Sequence, residues 1–255
     1  MAKIQAPGIV AIIFAKEENE AFRRCSFPIL GRPVAAYPIM AALNAQSIHT
    51  CYLSTSSQHL IHIAHGYEGV RVIRRPNELD NILEEFQRST REVCDDLGSV
   101  TEYTALILGN SPCLCAENID NAAHILEKHP GLDSVVTAER RPEFSPANAF
   151  CLTEAGTLES AGLLEKQKCC YFPNARLIIV RTDHILQLAP DLKHFIAIYG
   201  RSIYPILQEE GVADIDYPWQ VPIVERWLRN HGFSESVTPY DTVAKRCATR
   251  PMVLG

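Results

Sequence analysis

The sequence has no excess of positive charge, no long apolar run and no paired-cysteine motif, and each absence narrows what it can be. Its 255 residues hold 24 lysines and arginines against 30 aspartates and glutamates, a formal net charge of -6. A surface that grips nucleic acid needs a basic face to displace counterions from phosphates. General nucleic-acid binding is therefore not expected, although a local basic pocket for a triphosphate remains compatible with this balance. No apolar stretch reaches the roughly 20 residues of a membrane span, so no membrane association is expected. Nine cysteines are present, none in a CxxC pair. Cys113 and Cys115 leave one residue between them, fewer than the two to four usual between metal-binding thiols. No secretory signal precedes the first apolar run, so reduced thiols and a cytoplasmic location are expected. There is no P-loop, no GxGxxG, no Ser-His-Asp order, no internal repeat and no low-complexity segment.

What is there is a substantial hydrophobic fraction, 47% of the chain, enough for one large α/β domain. The β-branched run from Ile9 to Phe14 reads as a buried strand, and 34–45 has helical periodicity with Ala36, Ile39, Met40 and Leu43 on one face. Strands follow at 50–54, 70–73, 103–108 and 134–138, separated by helices at 58–67, 81–96 and 116–128. That alternation implies a doubly wound, mainly parallel sheet with helices on both faces. Ligands in such sheets sit beyond the carboxyl ends of the strands, which directs attention to the loops after Phe14, Ser54, Ile73, Leu108 and Ala138. The second half is less regular. Strands at 150–152 and 175–180 suggest hairpins in a small projecting element over about 140–180. A short strand at 213–216 precedes a helix at 221–230. The main domain is expected to span 1–233, with a tail at 234–255.

Four groups of residues could carry chemistry. The loop after the first strand holds Lys16, Arg23 and Arg24, cations able to hold nucleotide phosphates and a departing pyrophosphate. Glu17, Glu18 and Glu20 are interleaved with them, as in an ordinary solvated loop. Asp214 and Asp216, at i and i+2 of an extended segment, point to one side and can share a magnesium ion. A pair of surface acids, or an N-cap at Asp216, is the plainer reading of that spacing. Arg74-Arg75-Pro76 offers guanidinium forks for phosphate or base edges, or simply a basic turn. Gln167, Tyr171 and Asn174 carry amide and phenol groups suited to a polyhydroxylated ligand, or to ordinary hairpin polarity. His59, His62 and His65 recur at i+3, a spacing commoner on a solvated helix face than in a metal site.

Taken in order, these pieces resemble the acylneuraminate cytidylyltransferases, the synthetases of CMP-sialic, CMP-legionaminic and CMP-pseudaminic acids. That family opens with a strand, a loop of the type ARGGSKR followed by KN, then GKP and a helix. Here the region runs from Ile13-Phe14-Ala15-Lys16 through Arg24, then Leu30-Gly31-Arg32-Pro33, with Ala36-Tyr37-Pro38-Ile39 similar to the pseudaminic branch. Leu53-Ser54-Thr55-Ser56 resembles VSTD, Arg74-Arg75-Pro76-Asn77-Glu78-Leu79 resembles LRPAEL, and Asn110-Ser111-Pro112 with Ala116-Glu117-Asn118-Ile119-Asp120 resembles TSPLR and AEDID. Asp133-Ser134-Val135-Val136-Thr137 resembles DSVVSV, and Ala213-Asp214-Ile215-Asp216 resembles the metal-binding DID.

The resemblance implies a nucleotide-diphospho-sugar transferase-like fold whose projecting element makes a homodimer. It implies Mg²⁺-dependent transfer of CMP from CTP to an acidic nonulosonic sugar. Asp214 and Asp216 would hold the metal, and Lys16, Arg24 and Asp216 would be catalytic. Ala15, Arg23, Arg75 and Asn110 would bind the nucleotide, and Gln167, Tyr171 and Asn174 the sugar. Glu17-Glu18 replace the family's Gly-Gly, whose backbone amides approach phosphates. Leu108 replaces a glutamine placed near both substrates. Those departures keep open an alternative: a diverged, non-catalytic nucleotide-sugar-binding homologue or assembly partner.

Overall fold

The computed structural model describes residues 8–17, 22, 24–76, 81–140, 150–152, 158–160, 171–189, 194–208 and 214–241. In chain order the elements are β1 (Ile9–Phe14), β2 (Pro28–Ile29), β3 (Arg32–Pro33), α1 (Ala36–Asn44), β4 (Ile48–Thr55), α2 (Gln58–Ala64), β5 (Val70–Arg74) and α3 (Ile82–Leu97). They continue with β6 (Tyr103–Leu108), α4 (Ala116–Lys128), β7 (Ser134–Arg140), β8 (Phe150–Leu152), β9 (Leu158–Ser160), β10 (Tyr171–Arg181), α5 (Thr182–Gln187), β11 (Ile203–Leu207) and α6 (Val221–Asn230).

Seven strands form one sheet in the order β11-β7-β10-β6-β1-β4-β5. All neighbours pair in parallel except β10, which runs antiparallel to both β6 and β7. The doubly wound, mainly parallel sheet is therefore present. Every residue of β1 is buried, as a parallel strand covered on both faces requires. Its side chains alternate between two cores. Ala11 and Ile13 pack with residues of α1, α4 and α6, such as Ile39, Ile119 and Leu228. Val10, Ile12 and Phe14 pack with Phe86 of α3 and Ile185 of α5. Helix α3 is held at both ends: the Asn81 side chain accepts from the Leu83 N–H, and Gly98 at φ +65° closes the carboxyl end.

Two features differ from the sequence expectations. Residues 175–180 are not part of a hairpin but the centre of the main sheet, where Leu177–Arg181 pair with β6. Their apolar run, Leu177 to Val180, is fully buried between two strands. Residues 214–216 form a bend rather than a strand, joined to the β6 loop chiefly through the Ile215 N–H, which donates to the Asn110 carbonyl at 2.8 Å. Beyond α6, Tyr240 is buried, and its hydroxyl accepts from the Ala116 N–H at the start of α4.

Strand β10 carries an irregularity that shapes the site. Its register with β7 jumps between Pro173 and Ile178, so that residues 174–177 face Thr137 alone. Such bulges bend a strand and re-aim its side chains. Within this one, Ala175 lies at φ +57°, a left-handed conformation that costs an L-residue roughly 1–2 kcal/mol. Glycine relieves that strain but loses more chain entropy on folding, by roughly 0.5–1 kcal/mol. Ala175→Gly is expected to gain a net ~0.5–1 kcal/mol, read as a higher urea midpoint at unchanged m-value. A midpoint at or below wild type would mean the backbone at 175 is not left-handed.

Candidate functional site

A cavity of about 360 Å³ opens at the carboxyl ends of β1, β5 and β6. It gathers side chains that are far apart in sequence. Lys16 enters from the loop after β1, Arg24 and Cys25 from further along it, Arg75 from the end of β5, and Asn110 from the loop after β6. Asn81, Ile82 and Glu85 come from the start of α3, Asn174 from the β10 bulge, and Asp214 and Asp216 from the bend before α6. The backbone fixes these loops to one another. The Gly109 N–H donates to the Phe14 carbonyl at 2.7 Å, the Ala15 N–H to the Ser54 carbonyl at 3.1 Å, and the Arg75 N–H to the Thr55 carbonyl at 3.0 Å.

The two aspartates follow the i, i+2 logic even without a strand. Both line the cavity, while the Ile215 side chain between them is fully buried in the core. The environments of the two carboxylates differ. Asp216 is the more exposed: its Oδ1 accepts from Arg24 Nη1 at 2.7 Å and from Asn110 Nδ2 at 3.0 Å. Asp214 sits deeper, and its Oδ1 accepts from Arg176 Nε and Ser111 Oγ, each at 2.8 Å. Burial pushes the Asp214 carboxyl above its ordinary range; Arg176 and Ser111 oppose that shift, and Asp216 adds to it. No hydrogen bond to Oδ2 of either aspartate is present among the described residues.

This donor set suits a magnesium ion. Mg²⁺ binds hard oxygens, usually one or two carboxylates, and completes its shell with waters and substrate phosphates. Elsewhere the metal readings find less. Among the described residues, no group of three or more His, Cys, Asp and Glu could hold a metal ion. His59, His62 and His65 all face outward on or just after α2.

The other candidate residues are distributed unevenly. Asn174 lines the cavity, yet its amide is engaged within the fold: Oδ1 accepts from Thr137 Oγ1 at 2.6 Å, and Nδ2 donates to Glu139 Oε1 at 3.2 Å. Tyr171, half exposed at the start of β10, is not among the lining residues, and neither is the buried Ala15. Arg23, Gln167 and Glu18 lie outside the described residues. Glu17 is not among the residues that line the cavity, and both its carboxylate oxygens are buried.

Two site residues escape a reading of motifs. Arg176 is buried and bridges Asp214 and Glu139. Its signal was a lone cation directly before the apolar run Leu177-Ile178-Ile179-Val180, since a charge entering a buried strand is rarely without a partner. Glu85, also buried, accepts from Ser54 Oγ at 2.5 Å and from Ser89 Oγ at 3.1 Å, and pairs with Arg88. It thereby ties the end of β4 to the first turns of α3 beside the cavity.

Comparison with known proteins follows the same lines. Residues 27–171, more than half of the chain, match a family described as cytidylyltransferase. The chain is 26% identical over 215 residues to an N-acylneuraminate cytidylyltransferase of Escherichia coli, covering 82% of this chain and 49% of that protein. It is 26% identical over 213 residues to a Helicobacter pylori protein named pseudaminic acid cytidylyltransferase and UDP-2,4-diacetamido-2,4,6-trideoxy-beta-L-altropyranose hydrolase, covering 73% of this chain and 40% of that one. The chain thus spans about half the length, or less, of these relatives. Among solved structures, CMP:2-keto-3-deoxy-manno-octonic acid synthetase complexed with CTP superposes with a TM-score of 0.64 at 13% identity, covering 88% of this chain and 99% of that chain. At that identity the likeness speaks for the fold. No helix among the described residues is long and apolar enough to cross a membrane.

Proposed function

The chain belongs to the cytidylyltransferase family, and from that premise we propose that it joins CMP, taken from CTP, to an acidic 2-keto sugar of the nonulosonic type, releasing pyrophosphate. One observation carries the reading: the Arg24–Asp216 contact of 2.7 Å in the cavity that Lys16, Arg75 and Asn110 also line. Cations for phosphates and carboxylates for a divalent ion meet at the carboxyl edge of a parallel sheet, where α/β folds bind nucleotides. The relatives named for N-acylneuraminate and pseudaminic acid support the choice of sugar class.

In the proposed reaction the anomeric hydroxyl of the sugar attacks the α-phosphorus of CTP in line. A bond forms from that oxygen to phosphorus, the hydroxyl proton passes to water, and the bond from the α-phosphorus to the bridging oxygen breaks, so that pyrophosphate leaves with the electron pair. Catalysis of this kind is mostly positioning and charge neutralisation. Lys16 and Arg24 grip the phosphates, and Arg75 lies on the base side. Asp214 and Asp216 would hold Mg²⁺, which would supply neutralisation of phosphate charge. Arg24 is shared between two anions: it rests on Asp216 in this structure, and a triphosphate competes for its guanidinium. Gln167 and Tyr171 are assigned to the sugar by their place in the sequence, and a homodimer would complete that side of the site.

The test is pyrophosphate release by the purified protein with CTP, Mg²⁺ and a panel of nonulosonic acids. Turnover with at least one of them, and none with the other nucleoside triphosphates, is the expected result. Metal-dependent CTP binding by calorimetry without turnover on any sugar would instead favour a non-catalytic nucleotide-sugar-binding homologue. Absence of CTP binding would overturn both.

A further inference from the structure

Two of the acidic residues that line the cavity, Asp214 and Asp216, are neutralised in different ways, and the difference centres on Arg176. Its side chain is 3% exposed. Nε donates to Asp214 at 2.8 Å and Nη2 to Glu139 Oε1 at 2.9 Å, while Nη1 lies 3.5 Å from Gln208 Oε1. The fork comes from the β10 bulge, next to Ala175 with its left-handed backbone, and meets Asp214, which lines the cavity. Asn174 anchors that bulge to Thr137 and also accepts from the Arg176 N–H. A guanidinium so enclosed, with two carboxylate partners, stays where it is. The Arg24–Asp216 pair is its opposite: the side chains are 20% and 43% exposed, at the cavity rim. Exposed pairs of that sort are weak and exchange readily.

We propose that Arg176 is a positioning residue that occupies Asp214 and thereby withholds the divalent ion until nucleotide is bound. The assignment rests on the nucleotide reading above. Without nucleotide, the acids Asp214, Asp216 and Glu139 face the guanidinium groups of Arg176 and Arg24, and little charge remains to attract a dication. When a triphosphate draws Arg24 off Asp216, it frees one carboxylate and supplies its own oxygens. The metal then enters with the nucleotide, while Arg176 keeps Asp214 in place.

Manganese is a suitable probe, because its free and bound forms are distinguished by electron paramagnetic resonance. The wild-type chain is expected to bind Mn²⁺ weakly alone and tightly with CTP. Arg176→Met removes the resident positive charge and should raise Mn²⁺ affinity without CTP by about tenfold or more. Arg176→Lys keeps the charge but cannot reproduce the two-carboxylate fork. It should bind Mn²⁺ alone as weakly as wild type, hold KM for CTP and lose kcat. Because Arg176→Met leaves buried acids without their cation and can unfold the chain, Glu139→Gln is a second variant. It leaves Asp214 as the carboxylate partner of Arg176 among the described residues and should weaken Mn²⁺ binding without CTP. Unchanged Mn²⁺ affinity in Arg176→Met, a rise in Glu139→Gln, or equal wild-type affinity with and without CTP would overturn the assignment. A wild-type chain that binds no CTP at all would overturn the nucleotide reading as well.

Discussion

With Asp216 replaced by alanine, pyrophosphate release is expected to fall by about a thousandfold, the scale on which removing one preorganised electrostatic partner acts. The melting temperature should move by only about 2 °C. The two expectations are separable because of where Asp216 sits. Its side chain is 43% exposed and its ion pair with Arg24 lies at the cavity rim, so the pair contributes ~0–1 kcal/mol to folding after solvent screening. The neighbouring contacts that hold the bend survive the substitution: Ile215 keeps its bond to the Asn110 carbonyl, and Gln220 keeps the two backbone N–H groups of residues 216 and 217. Asp214 makes a poorer test. Its loss leaves Arg176 with Glu139 as its remaining carboxylate partner among the described residues, in a buried network, so lost activity would be confounded with lost structure. Near-normal turnover in a folded Asp216→Ala protein would remove Asp216 from the catalytic machinery.

How much of this was legible beforehand follows the physics of each segment. Strand β6 and helices α4 and α6 begin and end where the sequence suggested, because each is a periodic apolar segment flanked by polar or turn residues. The edge strand β11 went unrecognised. Pro205 interrupts it and four of its five residues are exposed or nearly so, which leaves no alternation to read and is tolerated only at an edge. At the site, Lys16, Arg24, Arg75, Asn110, Asp214 and Asp216 were found as ordered motifs and do line one cavity. Arg176 and Glu85 were not, since each acts through partners dozens of residues away: Asp214 for the first and Ser54 for the second. Asn174 shows the converse. Its motif position suggested a ligand contact, whereas both polar atoms of its amide are engaged by β7. Sequence order reveals which residues converge, but not which of them are already spoken for.

The second large effect is expected at Gly109, and it links the fold to the site directly. The loops after β1 and β6 approach backbone to backbone there. A Cβ on Gly109 would lie 2.7 Å from the Ala15 Cβ, 2.9 Å from the Phe14 carbonyl oxygen and 3.0 Å from the Ala15 Cα. None of these is the end of a flexible side chain, so the methyl of Gly109→Ala can be admitted only by moving one loop away from the other. Overpacking of this kind costs typically 1–3 kcal/mol. The movement also separates Lys16, next to Ala15, from Asn110, next to Gly109, both of which line the same cavity. A displacement near 1 Å can lower a rate by roughly a hundredfold. Gly109→Ala should therefore lower the melting temperature and weaken CTP binding together. Gly131→Ala is the control: an added Cβ there meets nothing within 4 Å, so stability should stay within about 0.5 kcal/mol. Should Gly109→Ala melt and bind CTP like wild type, the two loops are not closed on each other as described, and the shared wall that sets Lys16 against Asn110 has to be drawn differently.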